Sequence, residues 1–114
     1  MPPSIESDRR KLEDKLRVRL LAGCDECDSF GYHPTDFRKM IAAYGAVETC
    51  LRVLRGQHPP DGLLKMVENG RLDLTAEAIM LNGSWRVLFP DAILDKCRKR
   101  LRDYGRPDLA IDLF

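Results

Sequence analysis

The stretch that decides the fold is Gly70-Arg71-Leu72-Asp73-Leu74-Thr75-Ala76-Glu77-Ala78-Ile79-Met80-Leu81-Asn82-Gly83. Gly70 can stop one helix, and Asp73 or Thr75 can cap the next. Between them Leu72 and Leu74 plug a core from an extended link. Ala76–Leu81 spans only about two turns before Asn82-Gly83 ends it, and a helix that short is marginal in water. Packing on neighbouring elements has to hold it. Glu77 falls in its electropositive first turn. The stretch reads as a structural corner that also groups Arg71, Asp73 and Glu77 as a candidate recognition surface.

The same start-and-stop grammar recurs on both sides. Upstream, Asp61 can cap a helix over Gly62–Asn69 in which Leu63, Leu64 and Val67 are expected to point inward. Val47, Cys50, Leu51 and Leu54 keep helical spacing up to Gly56, as do Phe37, Met40, Ile41 and Tyr44 between a Thr35 cap and Gly45. Leu12, Leu16 and Leu20, joined by Val18 and Leu21, form a first amphipathic helix from Ser7 to an expected stop at Gly23. Residues 23–34 then read as the longest irregular loop. Downstream, residues 84–89 make a further helical turn or a brief strand. Asp91 opens a helix with Ile93, Leu94, Cys97, Leu101 and Tyr104 on one face, and residues 106–114 are a short apolar tail. No segment alternates with period two for long enough to be a strand. The expected fold is all-α, a single compact irregular bundle of about six to eight short helices over residues 1–114, because helices this short cannot build long parallel seams.

With 114 residues the chain has material for one core. Its 19 basic and 18 acidic side chains nearly balance at +1, which excludes a strongly basic nucleic-acid coat and an acidic solvating tail. Apolar runs are short, and the opening Met1-Pro2-Pro3-Ser4-Ile5-Glu6 has no charged and apolar leader. No membrane partner is expected, and the expected address is cytoplasmic.

Several motifs fall into a recurring arrangement: Phe37-x-x-Met40, Gly45-x-Val47-x-Thr49, Gly62-Leu63-x-x-Met66, Gly70-Arg71-Leu72-Asp73-Leu74-Thr75-x-Glu77, Trp85-x-x-Leu88-Phe89 and Arg100-Leu101-x-x-Tyr104-Gly105. Through them residues 37–104 resemble a family of small bacterial α-helical domains, found alone or attached to predicted nucleases and to mobile-element or phage-conflict proteins. The resemblance implies a helical module. It brings no established activity, so no catalytic residue is carried over.

Cys24-Asp25-Glu26-Cys27 is the sharpest chemical signal, since two thiolates at this spacing can grip one Zn²⁺ with His33 nearby. No second such pair follows, and Cys50 and Cys97 lie on apolar helix faces, so Cys24, Cys27 and His33 are metal candidates of last resort and the pair reads foremost as a surface dithiol. Asp25, Glu26 and Asp28 would raise the thiol pKa and oppose redox chemistry. Only His33 and His58 could serve as a base for a nucleophile, each beside a proline without an orienting third group. No phosphate loop is present. An enzyme is not expected, nor a cofactor.

The last helix carries Lys96, Arg98, Lys99, Arg100 and Arg102, a face that phosphates could use, although cations near a helix C-terminus are also stabilising without any ligand. Trp85 and the tail residues Leu109, Ile111, Leu113 and Phe114 are costly to leave in water and favour a protein surface. The leading expectation is a non-enzymatic protein-interaction module in bacterial defence or mobile-element biology. It would use Arg71, Asp73, Trp85 and that tail to bind another protein or a symmetric copy. A nucleic-acid-associated module and a zinc-stabilised domain are the alternatives.

Overall fold

A computed structural model describes residues 5–56 and 61–110. The fold is all-α. Among the described residues the six α-helices are α1 (Ile5–Ser29), α2 (Thr35–Tyr44), α3 (Ala46–Arg55), α4 (Asp61–Glu68), α5 (Ala76–Leu81) and α6 (Asp91–Asp103), with 3-10 turns at Leu72–Leu74, Ser84–Leu88 and Pro107–Ala110. Among the described residues there is no strand, and no helix is long and apolar enough to cross a membrane.

The corner at residues 70–83 is the hub. Every residue of α5 is buried, as a two-turn helix without intrinsic stability requires. Gly70 ends α4 at φ +67°, where the Arg71 amide donates to the Met66 carbonyl at 2.8 Å. Leu72 and Leu74 are buried in a 3-10 turn, not an extended link. Thr75 is the cap: its hydroxyl accepts from the Ala78 amide at 3.2 Å and donates to the Leu72 carbonyl at 2.8 Å. Around α5 pack Leu16 and Leu20 of α1, Cys50 and Leu54 of α3, and Leu94, Cys97 and Leu101 of α6.

The first helix corrects the expected loop over residues 23–34. Gly23 does not stop α1: it is a buried interior residue of the helix, and a Cβ there would meet Ile79 Cδ1 at 3.5 Å and the Leu74 carbonyl at 3.7 Å, ordinary contact distances. The stop is Gly31 at φ +86°, where the Tyr32 amide donates to the Cys27 carbonyl at 3.1 Å. At 25 residues α1 is not short. Its apolar stripe continues from Leu16 and Leu20 into Cys24 and Cys27, both buried, so the expected surface dithiol is a pair of core thiols.

Three smaller expectations also change. Pro34, not Thr35, occupies the N-cap position of α2, and no side chain caps it. Leu64 and Val67 point outward from α4 at 55% and 39% exposure, because Gly62 supplies the buried face that lets Tyr32 lie against the helix backbone. Trp85 is half-buried: its indole covers Gly83 and donates from Nε1 to the Ile79 carbonyl at 2.7 Å, capping the end of α5.

Candidate functional site

An open cleft of about 270 Å³ lies between α1, α2 and α4. It is lined by Leu20, Gly23, Cys24 and Cys27 from the late part of α1, by Phe37 and Met40 of α2 and Met66 of α4, by Tyr32 and Pro34 between α1 and α2, and by Val53 of α3 with Leu74, Thr75 and Ala76. Charge on the lining is carried by two carboxylates, Asp36 at the exposed start of α2 and Glu77 in the wall. Such a concave, apolar surface with a few polar groups is the usual form of a binding site.

Glu77 is 2% exposed and meets Arg100 at 3.4 Å, Nη1 to Oε2. Loss of solvent pushes its pKa up, and the Arg100 charge only partly offsets that push. The Arg100 guanidinium also donates to the carbonyls of Val53 at 3.2 Å, Leu54 at 3.5 Å and Gly56 at 2.7 Å, finishing the C-terminal end of α3. This removes Arg100 from the expected phosphate-binding face. Of the other residues proposed there, Arg98 pairs with Asp95 and Lys99 lies 2.9 Å from Asp103. Lys96 and Arg102 have no ion-pair partner among the described residues. The basic face is thus largely spent on internal and neighbouring carboxylates.

Two arginines tie the end of α1 to its neighbours. Arg38 of α2 reaches Asp28 at 2.7 Å and Asp25 at 3.0 Å on α1, and His33 Nδ1 lies 2.7 Å from the other Asp28 oxygen. Hydrogen bonds from Arg38 and then His33 hold the Asp28 pKa down at about 2. Arg71 bridges Glu26 at 2.8 Å and Asp73 at 3.1 Å. The expected grouping of Arg71, Asp73 and Glu77 is therefore divided: the first two tie the corner to α1, while Glu77 is inside.

Burial drives the Cys24 thiol up to about 11 and raises that of Cys27. Both thiols are free and turned into the core face of α1, and His33 is engaged by Asp28. Among the described residues no three His, Cys, Asp or Glu side chains come together as a metal-holding group. Of the tail residues, Leu109 is half-buried against the core; Ile111, Leu113 and Phe114 lie outside the described residues.

Sequence reasoning missed Met40, Met66, Tyr32 and Asp36 as members of one cleft. The available signal was the continuation of the α1 stripe through Cys24 and Cys27, which would have placed the thiols inside and α2 against them. Searches of protein-family models, curated proteins and solved structures find no match to the chain. The bacterial resemblance rests on its quoted motifs alone.

Proposed function

We propose that the chain is a non-enzymatic helical protein-interaction module whose docking element is the cleft between α1, α2 and α4. The observation that carries this reading is the cleft, about 270 Å³ of largely apolar concavity on the surface of so small a domain. Protein interfaces take most of their energy from a few large side chains seated in desolvated pockets, and this cleft has the dimensions of such a seat. The exposed Leu64 and Val67 on α4 add apolar surface on one of its walls' outer side.

Support for a binding role over a catalytic one comes from the state of the cleft's reactive groups. Glu77 is committed to Arg100, and burial keeps the Cys24 and Cys27 thiols protonated, so none is poised as a base or nucleophile. A bacterial defence or mobile-element setting and a cytoplasmic address belong to the same reading, supported by the motif resemblance and the sequence. The test is affinity purification of the tagged chain from its source cells beside a Met66→Trp variant that fills the cleft. A stoichiometric protein retained in high salt by the parent and lost by the variant is expected. Retention unaffected by the variant, or abolished by nuclease, would overturn the reading.

A further inference from the structure

We infer that the partner docks through a basic segment, presenting one large apolar side chain to the cleft with lysine or arginine beside it. This rests on the cleft being the protein-binding site and adds the chemistry of its occupant.

No cationic side chain lines the cleft among the described residues, whereas Asp36 and Glu77 do. Glu77 is matched internally by Arg100, but Asp36 is exposed and has no ion-pair partner among the described residues. Asp25, Glu26 and Asp28 occupy the last two turns of α1, interleaved with the cleft-lining Cys24 and Cys27, where the helix dipole is already negative. With Asp73 these make four carboxylates held by two guanidiniums, Arg38 and Arg71, and by the His33 imidazole on Asp28. Asp25 keeps 78% of its side chain exposed and Glu26 49%, so both remain open to a second cation. An acidic partner would be repelled from this group and a basic one steered to it, with the apolar anchor supplying the short-range part.

The test titrates two synthetic peptides into the protein carrying ¹³C-methyl methionine. Each peptide has one central tryptophan in a Gly/Ser background, flanked by lysines in one and by glutamates in the other. The Met40 and Met66 methyl signals should shift with the lysine peptide, which binds at least tenfold more tightly at low salt. Asp36→Lys, at an exposed site, should cut that preference several-fold, with the circular dichroism spectrum checked against the parent. Equal binding of both peptides would overturn the inference and leave the protein-binding reading standing. Failure of both to move the methyl signals would overturn the cleft as docking site as well. Methyl shifts that grow with the protein's own concentration would assign the cleft to a second copy and also overturn the separate basic partner.

Discussion

Arg100 on α6 and Glu77 on α5 meet inside the protein, Nη1 to Oε2 at 3.4 Å, and the same guanidinium closes the end of α3 through three backbone carbonyls. Three helices therefore share one side chain. The two partners are not equivalent: Arg100 has four acceptors, whereas Glu77 has a backbone hydrogen bond and Arg100, which together offset only part of its lost solvation.

Removing the arginine should accordingly cost far more than neutralising the carboxylate. Arg100→Met strands a buried carboxylate and the α3 carbonyls, and is expected to destabilise by about 3–5 kcal/mol. Glu77→Gln leaves Arg100 its carbonyl partners and should cost no more than about 1–2 kcal/mol. Urea unfolding of the two variants checks the order, and equal losses would contradict it.

Acid should open the α1–α2 clasp. The folded Asp28 value of about 2 lies below its ordinary 3.8, so its contribution is complete above about pH 4 and is lost as pH falls toward 2. Asp28→Asn should flatten the stability profile in that window relative to the parent. Glu77 acts with the opposite sign: its raised folded pKa makes stability fall as pH climbs from the ordinary carboxylate value through the folded one. Glu77→Gln should remove that component.

The thiols should behave as core groups. Cys24, Cys27, Cys50 and Cys97 are all buried and free, and burial drives each pKa up, Cys97 to about 12. Alkylation by iodoacetamide in native buffer should be slow and should accelerate on adding denaturant. A chelator should leave Tm unchanged; a clear drop would restore the zinc-stabilised alternative.

Gly83→Ala should fail for reasons of space alone. The backbone there is extended, with φ near −168°, but a Cβ would lie 2.2 Å from Trp85 Cε2. The indole is held by its bond to Ile79, so about 1–3 kcal/mol of overpacking is expected. Trp85 fluorescence should shift in the folded variant.

The helices and most of their ends were legible because local chemistry set them: Gly45 and Gly70 stop helices, and Thr75 caps one. Gly23 misled because a glycine inside a helix is locally unfavourable, yet the buried stripe of α1 runs on through Cys24 and Cys27 and carries the helix past it. The outward turn of Leu64 and Val67 was hidden similarly, since α4 has two apolar stripes and the packing of Tyr32 on Gly62 chooses between them. Arg100 looked like its basic neighbours. Nothing in its local sequence reveals a carboxylate 23 residues away. The cleft was the least legible feature, being assembled from residues of six separate elements and the connection between α1 and α2.

The most direct test of the central claim is photo-crosslinking in intact cells with a photoreactive residue at position 36, on the cleft's lip, and in a control at Val87, exposed outside it. A single protein adduct of discrete mass at position 36, absent at 87 and lost when Met66→Trp is added, is the predicted result. Adducts equal at both positions, or an adduct at 36 that survives the filled cleft, would contradict the account.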